Sequence, residues 1–566
     1  MGMSRKHIGD HHPYIPELRD QLRQGTIDRR EFLRTATLLG VSAAAAYAMA
    51  GSVLSPRSAM AAETPRKGGN LRVSMNVKEI TDPATYDWSE KGNIARHMTE
   101  PLVRINSDNV AEGYLAESWR ASEDLKTWTF KLRKGVKWSN GDDFGADDVV
   151  FNFKRWLDPA TGSSNQGRFS AMTEKIDTGK KDKDGKPVMS TVGTQGAVEK
   201  VDDHTVRFHL NRPDLSLPES MGDYPALIVH RRFDDEGGDL SKNPVGTGPF
   251  TLKEFKVGEK AVLERRTDVP WWGGDVYLDK ITYIDHGDDP SAQLAAFASG
   301  QIDANFRTNA EQVDVMKNIP DLINYEAVTA QCGVARMKVT EAPFDNKNLR
   351  KAIQVCVDQD KILRIVFLGR GAPGEDHHVA PVHPEYFKLP PIRQDYDLAK
   401  KYLVDAGYPD GIKIRIDCVA NPTWEQNACK ALAEMLKPAG IDLAINIMPG
   451  GTYWDRWLTT PFGLTSWTHR PLGVQVLNLA YRSGGAWNET SYANPEFDAL
   501  LDEAGTLLDA DERRKVMAKI EKTLQDDAII HQSSWRSIFS TAHKRVRGIY
   551  CQVAEEHHYN KVWLAS

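Results

Sequence analysis

The stretch Asn243–Phe250, read Asn-Pro-Val-Gly-Thr-Gly-Pro-Phe, puts two prolines and two glycines into one short segment near the middle of a 566-residue chain. Pro244 and Pro249 push the residues before them toward extended backbone. Gly246 and Gly248 allow a positive φ or the close approach of another backbone segment. An alternating apolar run follows and predicts a strand. The stretch therefore predicts a stiff crossing where two lobes meet, with its asparagine and its two glycines as hinge or structural residues.

Residues 1–61 have the pattern of an export signal. The pair Arg29 and Arg30 stands in the twin-arginine sequence Asp-Arg-Arg-Glu-Phe-Leu-Arg, and a weakly apolar, alanine-rich run over Thr35–Leu54 follows it. Ala59–Ala61 then supplies a small-x-small cleavage pattern. We predict a signal peptide that is exported by the twin-arginine translocase. The alternative is a transmembrane anchor, which the weak hydrophobicity and the cleavage pattern disfavour.

Two further features of residues 1–61 bear on this prediction. No cysteine stands at the cleavage point, so lipid attachment there is not expected. An amphipathic piece, Ile15–Leu22, precedes the arginine pair, and an export signal gives it no role. We find no other apolar run long enough to span a bilayer, so the mature protein is predicted to be soluble in the periplasm.

Charge and length limit the classes of function. The chain carries 72 basic and 78 acidic residues, with a net charge of −6 and a pI of about 6.3. A nucleic-acid-binding protein would need a concentrated basic face, so no nucleic-acid partner is expected. The length is too great for one core, and two or three domains are expected.

Cysteines and histidines do not predict a metal site or a cofactor. Cys418 on a predicted strand and Cys429 on the next helix could pair, or all five cysteines could be small buried hydrophobes. The chain has no Cys-x-x-Cys sequence for zinc or an iron–sulfur cluster. The histidines at 377, 378 and 383, and the pair at 557 and 558, lack the helical spacing of a zinc site. We predict that the first group lies in a solvated loop.

Hydrophobic periodicity predicts the main elements. Before Asn243 it predicts a strand over Thr127–Leu132 and a helix over Ala146–Leu157, which indicates a small α+β unit. It also predicts a helix that starts at Ala95 and runs into a strand. Further on it predicts one long helix over Arg350–Phe367 and a helix capped by Asp397. Strands and helices alternate after that point, which favours an α/β lobe.

Seven segments in order resemble one family along nearly the whole mature chain. They are Leu115–Trp119, Trp128–Trp138, Asn140–Phe144, Ala146–Phe151, Asn243–Phe250, Phe344–Arg350 with Ala352 and Ile353, and Ala406–Gly411. Each is weak alone, but their combination and order resemble the extracytoplasmic solute-binding proteins, family 5, of ABC importers. Members of that family bind oligopeptides, dipeptides, nickel chelates and opines.

The resemblance implies a mixed α/β (α+β) fold of three domains. A discontinuous domain I would comprise 62–98, 246–330 and 534–566, with domain II inserted over 99–245 and domain III over 331–533. The resemblance also implies two lobes that close over a ligand by hinge motion, and a membrane permease that recognises the closed form. We expect the protein to act as a monomer.

The main candidate ligand residues are Trp467, His469 and Arg470. In peptide-binding members of the family, a Trp-x-Ala-Asp-Tyr type segment places an aspartate against the α-ammonium of the peptide. Here Arg470 stands at or next to that aspartate, which puts ordinary peptide recognition in doubt. An arginine favours a carboxylate or phosphate, so we hypothesise an anionic ligand group. Alternatively, Arg470 pairs with an acid of the protein or points to solvent, and Trp467 is core rather than a stacking surface.

Further candidates come from the same resemblance and from position. Asn421 and Trp424 follow the predicted strand over Ile412–Cys418 and match another ligand-contact region of the family. Trp487, Trp535 and Arg307 are candidates by position, Trp535 near the last domain crossover and Arg307 from domain I.

The predicted function is binding without chemistry, because no hydrolase, zinc-protease or phosphate-loop motif occurs in the sequence. One alternative is a cofactor enzyme exported by the twin-arginine route. Another is a periplasmic sensor that presents its ligand to a receptor. The sequence alone does not separate sensing from import.

Overall fold

A computed structural model describes residues 12–51, 63–181, 185, 187–287, 289–485 and 487–565. The chain forms two compact units. Unit 1 comprises Met1–Thr308, Gln312–Tyr325 and Ser540–Ser566, and unit 2 comprises Asn309–Glu311 and Glu326–Phe539. Within the described ranges, no helix is both long and apolar enough to cross a membrane.

The α-helices are numbered in chain order. They are α1 Ile15–Gln24, α2 Arg29–Leu38, α3 Ala43–Gly51, α4 Ser89–Ala95, α5 Ala146–Leu157, α6 Leu217–Ser220, α7 Pro290–Ala298, α8 Val313–Met316, α9 Lys347–Val355, α10 Gln359–Phe367, α11 Tyr396–Asp405, α12 Thr423–Leu436, α13 Gly450–Arg456, α14 Gly473–Ala480, α15 Pro495–Thr506 and α16 Ala510–Asp527.

The strands are numbered in the same way. They are β1 Asn70–Ser74, β2 Val103–Ile105, β3 Ala111–Gly113, β4 Ala116–Ala121, β5 Thr127–Leu132, β6 Thr173–Lys181, β7 Pro187–Gly193, β8 Val198–Asp202, β9 Thr205–His209, β10 Phe250–Lys256, β11 Lys260–Arg265, β12 Lys280–Ile284, β13 Ala304–Asn305, β14 Leu322–Met337, β15 Gly371–Pro373, β16 Ile412–Val419, β17 Ile441–Met448, β18 Phe462–Trp467, β19 Ile530–His543, β20 Val546–Arg547 and β21 Trp563–Leu564.

Unit 1 contains a main sheet and a smaller four-stranded sheet. In the main sheet the strand order is β10, β11, β12, β1, β13, with β1 parallel to β12 and β13. Alternate residues of β1, Leu71 and Val73, are fully buried in the core of the unit with Ile281 of β12. The smaller sheet, β4-β5-β9-β8, is antiparallel, and Phe153 of α5 packs on Phe208 of β9 with ring centroids 4.6 Å apart.

The segment Asn243–Phe250 lies in unit 1 against the backbone at residues 97 and 98. The amide of Gly248 donates to the Met98 carbonyl oxygen at 2.7 Å. A Cβ atom on Gly246 would lie 2.0 Å from that oxygen, and one on Gly248 would lie 2.4 Å from the His97 carbonyl oxygen. Both positions therefore require glycine because another backbone passes too close for a side chain.

Unit 2 has the strand order β14, β18, β16, β17. Strand β16 is parallel to both β17 and β18, and β14 is antiparallel to β18. Helices α9 to α12 supply apolar side chains such as Leu349, Ile362, Leu403 and Leu432 to one core with these strands. Both units thus mix helices and sheets, so the protein has a mixed α/β fold.

Several predicted elements are confirmed and three differ. Strand β5 and helix α5 have the predicted bounds. The single helix predicted over Arg350–Phe367 is wrong: Asp358 caps a separate helix, α10, by accepting from the Lys361 amide. The cap of α11 is Asp395 and not Asp397, and α4 ends at Ala95, where a helix was predicted to begin. The three-domain division stays a prediction.

Candidate functional site

The candidate residues of unit 2 follow two parallel strands at the same edge of its sheet. Asn421 and Trp424 come directly after β16, while Trp467, His469 and Arg470 end β18 and begin the loop after it. Because β16 and β18 are parallel, their carboxyl ends lie at one edge. Ligands of open α/β sheets bind outside the carboxyl ends of the strands. We call these five residues the carboxyl-edge site.

The indole of Trp467 is held in one orientation by a buried carboxylate. Its Nε1 donates to Oε1 of Glu489 at 2.9 Å. The other oxygen, Oε2, accepts from Thr465 Oγ1 at 2.7 Å and from Arg336 Nε at 3.2 Å, and it also accepts from Trp457 Nε1. The Arg336 and Glu489 side chains are 0% and 2% exposed. Because the buried Glu489 carboxylate accepts this many hydrogen bonds, it holds the donating indole rings in fixed orientations.

Uncharged aromatic rings surround Trp467. Its ring centroid lies 6.0 Å from that of Trp487 and 5.2 Å from that of His378, which in turn lies 5.2 Å from Tyr481. Burial, with the nearby His377 and His383, lowers the pKa of His378 to about 3, so its imidazole is neutral at physiological pH. Burial also raises the pKa of Tyr481 well above its usual value. Trp467 is 5% exposed, so most of its ring packs on these neighbours inside unit 2.

The loop that carries His469 and Arg470 is fixed from two sides. His469 Nδ1 accepts from the Ala330 amide at 3.0 Å, and His383 Nε2 donates to the Arg470 carbonyl oxygen at 2.9 Å. The Arg470 side chain is buried, and its Nη1 donates to Thr468 Oγ1 at 2.6 Å and to the His469 carbonyl oxygen at 2.9 Å. A guanidinium group is thereby held inside unit 2 by neutral acceptors of its own loop.

Trp424 is buried beside a second arginine. The Arg536 guanidinium carbon lies 5.1 Å from the centroid of the Trp424 ring, a cation–π distance. Arg536 also donates to Gln331 Oε1. A Cβ atom on Gly333 would lie 2.7 Å from the Trp424 ring, so the indole packs directly on the β14 backbone. Asn421, at the other end of this turn, is exposed.

Trp535 lies in β19 next to the histidine-rich loop that follows β15. Its ring centroid is 5.6 Å from that of His377. The prediction that this loop is solvated is wrong: Asp376 and His377 are fully buried. Asp376 Oδ1 accepts from the Gln532 amide at 2.9 Å and lies 3.1 Å from His531 Nδ1, which ties the loop to β19. Tertiary hydrogen bonds thus bury a segment whose composition indicates a loop.

A buried glutamate stands in the same region. Oε2 of Glu521 lies 3.9 Å from His377 Nε2. Burial, together with the charges of Glu375 and Glu385, raises the pKa of Glu521 to about 10. The described residues contain no group of three or more histidine, cysteine, aspartate or glutamate side chains placed to hold a metal ion. Cys418 and Cys429 are both thiols buried in the core of unit 2.

The remaining candidates lie in unit 1. Arg307 forms a bidentate ion pair with Glu555, and the Arg307 guanidinium carbon lies 4.8 Å from the Phe306 ring centroid. Arg29 and Arg30 begin α2 and are exposed. The proposed cleavage pattern at Ala59–Ala61 lies outside the described residues.

Sequence reasoning missed Glu489, Arg336 and Arg536, which position two of the predicted tryptophans. Arg336 and Glu489 are 153 residues apart, and neither belongs to a recognisable motif. The charged Arg336 lies inside the largely apolar strand β14, and this is the sequence signal from which a buried ion pair could have been predicted.

Comparison with known proteins places the chain in a family. The model of the family described as bacterial extracellular solute-binding proteins, family 5 middle, matches residues 111–488. The periplasmic oligopeptide-binding protein OppA of Haemophilus influenzae is 28% identical over 468 residues, which is 79% of this chain and 84% of that protein. Heme-binding protein A of the same organism is 28% identical over 475 residues, covering 77% of this chain and 81% of that protein.

A solved structure extends the likeness to three dimensions. The crystal structure of Haemophilus influenzae OppA in complex with the peptide RPPGFSPFR superposes with a TM-score of 0.74 at 25% identity, covering 89% of this chain and all of that one. The fold is therefore that of a solute-binding protein. The chain belongs to the bacterial extracellular solute-binding proteins of family 5.

Proposed function

We propose that the protein binds a small peptide-like or anionic solute, such as an opine or a modified peptide, and delivers it to the permease of an ABC importer. Three features support this function: the family, the peptide-binding relative, and the aromatic and arginine side chains of the carboxyl-edge site. Trp467 and Trp487 supply stacking area, and Arg470 supplies a donor for a carboxylate or phosphate.

The choice of ligand rests on Arg470, which stands at or next to the position of the aspartate in peptide-binding members of the family. An aspartate at this place would attract the ammonium group of a peptide, whereas a guanidinium repels it and attracts an anion. The Arg470 side chain is buried, and its Nη1 donates to Thr468 Oγ1 and to the His469 carbonyl oxygen, which holds the guanidinium group at the carboxyl-edge site.

The hinge, the export route and the oligomeric state belong to the same proposal. Closure of two lobes over the ligand is a hinge motion, and only ligand contacts that favour the closed form can drive it. Export uses the twin-arginine translocase, and the mature protein acts as a monomer in the periplasm.

The competing functions predict different purified proteins. A cofactor enzyme would carry a chromophore or metal, whereas a solute-binding protein purified from the periplasm is expected to be colourless and metal-free. A sensor would bind the same ligand but would leave uptake unchanged when its gene is deleted. Uptake of the labelled ligand by the deletion strain separates a sensor from an importer component.

A thermal-shift screen identifies the ligand class. The panel comprises free dipeptides and tripeptides, the same peptides with acetylated or amidated ends, and opines. A ligand at 100 times its Kd stabilises the protein by about 2.7 kcal/mol. We expect the carboxylate-bearing compounds to stabilise and the amidated peptides to do so least.

Variants then test the role of the arginine. Arg470→Ala should weaken binding of the carboxylate ligand by about tenfold or more, since a charge-assisted hydrogen bond contributes about 1.5–3 kcal/mol. Arg364→Ala is the matched control, because Arg364 is exposed on α10. Equal affinity of the Arg470 variant and the control would refute the anionic-ligand proposal.

A further inference from the structure

Residues 12–51, which we call the leader, form three helices that pack on one another. The apolar face of α1 buries Ile15, Leu18 and Leu22. Helix α2 begins after Asp28, whose side chain accepts from the Glu31 amide at 2.8 Å, and α3 follows it. The amphipathic segment before the arginine pair, which an export signal leaves without a role, is thus the first helix of a folded assembly.

The leader is docked on the rest of unit 1 by specific hydrogen bonds. Trp119 Nε1 of β4 donates to the Leu38 carbonyl oxygen at 2.9 Å, and Arg34 Nε donates to the Asn109 carbonyl oxygen at 3.1 Å. Tyr47 on α3 donates to Asp108. These three contacts attach α2 and α3 to the turn between β2 and β3 and to the neighbouring strand.

Gly40 allows the closest approach between the leader and β4. A Cβ atom there would lie 2.1 Å from the Trp119 carbonyl oxygen, and the residue has a φ of +93°. Both the space and the backbone conformation therefore require glycine. A site where two backbone segments approach this closely is complementary in shape.

Docking divides the leader into an exposed part and a covered part. Arg29 and Arg30 are exposed, whereas every residue from Glu31 to Leu39 is buried. Phe32, Leu33 and Leu38 are at most 2% exposed. The apolar residues that follow the arginine pair are therefore hidden while the pair itself faces solvent.

We propose that the leader is an intramolecular cap, which docks on folded unit 1, presents its two arginines and withholds its apolar stretch until it is released. This inference rests on the proposed export by the twin-arginine route. The acceptor at Asn109 lies in a turn with a φ of +60°, and Trp119 lies in a paired strand, so the docking surface exists only after this part of unit 1 has folded. Docking therefore distinguishes a folded chain from an unfolded one before export.

Hydrogen exchange on the full-length precursor tests the docking. We expect amides of residues 31–39 to be protected about as strongly as those of β4. Gly40→Val should lower protection of residues 31–39 by about tenfold or more while leaving β5 unchanged. Rapid exchange of residues 31–39 in the wild-type precursor would overturn the proposal.

A second variant guards against a general folding defect. Trp119→Phe removes the indole donor to Leu38 and should lower protection of the leader in the same direction. Trp128→Phe is the matched control, because its Nε1 donates to the Leu125 carbonyl oxygen in the turn between β4 and β5 and does not contact the leader through that bond. Equal loss of leader protection in both variants would contradict a specific docking contact.

Export assays test the docking of the leader and the twin-arginine export route as separate claims. Replacing Arg29 and Arg30 by lysine should stop export and leave leader protection unchanged. If export continues while the leader stays protected, the route is wrong and the docking stands; if export stops but the wild-type leader is unprotected, the docking is wrong. Gly40→Val precursor should bind more strongly than wild type to vesicles that contain the translocase, and equal binding would refute the masking of the apolar stretch.

Discussion

Two buried glutamates of unit 2 should respond in opposite ways to the same substitution, Glu→Gln. Glu489 is ion-paired with Arg336, and both side chains are at most 2% exposed. Removing one partner of a buried pair costs about 3–5 kcal/mol because the other charge stays buried without compensation. Glu489→Gln should therefore lower the free energy of unfolding by about that amount. It should also weaken ligand binding, because Trp467 loses its charged acceptor.

Glu521 is the opposite case because its carboxyl is held in the neutral form. Its pKa is raised from 4.5 to about 10, first by burial and then by Glu375 and Glu385. A raised folded-state pKa gives stability that is complete below the unfolded-state pKa and is lost as the pH rises toward 10. The slope is about 1.4 kcal/mol per pH unit, so about 2–3 kcal/mol is lost between pH 5 and 7. Glu521→Gln should remove this slope and be no less stable than wild type at pH 7.

Urea unfolding of both variants at pH 5 and pH 7 measures these changes, and ligand titration of Glu489→Gln measures the second effect. A Glu489 variant within about 1 kcal/mol of wild type would refute the buried-charge argument, since that is the size of an ordinary surface effect. A Glu521 variant as destabilised as the Glu489 variant would show that Glu521 is ionised and paired.

Two further predictions concern the fold. Gly246→Ala should destabilise unit 1 by about 1–3 kcal/mol in urea unfolding, because the new Cβ would lie 2.0 Å from the Met98 carbonyl oxygen. Gly450→Ala is its control, with open space around the Cβ position, and an equal loss would refute the steric argument. Asn494→Ala should cost about 1 kcal/mol by removing the acceptor for the Glu496 and Phe497 amides at the start of α15. A cost below about 0.3 kcal/mol would show that the cap is dispensable.

Patterns of adjacent residues predicted the helices and strands, whereas contacts between residues far apart in the sequence determine which segments are buried. The apolar face of Ala146–Leu157 and the apolar alternation over Thr127–Leu132 lie in adjacent residues, and both elements form with the predicted bounds. The break at Asp358 is also local, but apolar residues lie on both sides of it, so hydrophobic periodicity alone predicts one continuous helix. The burial of the loop at Asp376 depends on β19, which lies far away in the sequence, so composition could not predict it.

The candidate site shows the same division. Placement of Trp467 at the end of β18 follows from the strand pattern and the family resemblance. Its anchor does not, because the interaction joins residues from separate strands and loops and depends on their meeting in space. Arg470 was predictable as a departure from the family pattern, whereas its partners, Thr468 and the backbone at His469, became visible only with the folded loop.

Unit 1 is built from separate stretches of the chain, and the ribosome makes the last of them at the end of translation. Its last stretch, Ser540–Ser566, supplies Glu556, whose carboxylate meets Arg96 at 2.8 Å, and the carbonyl oxygen of Glu555, which accepts from Asn93 at 2.9 Å. Arg96 and Asn93 are buried, so neither has these partners until the ribosome has made nearly the whole chain. Domains built from one continuous stretch can fold during synthesis, but this unit must wait for the end of translation. A ribosome that stops early would release a chain with a buried arginine that lacks its carboxylate.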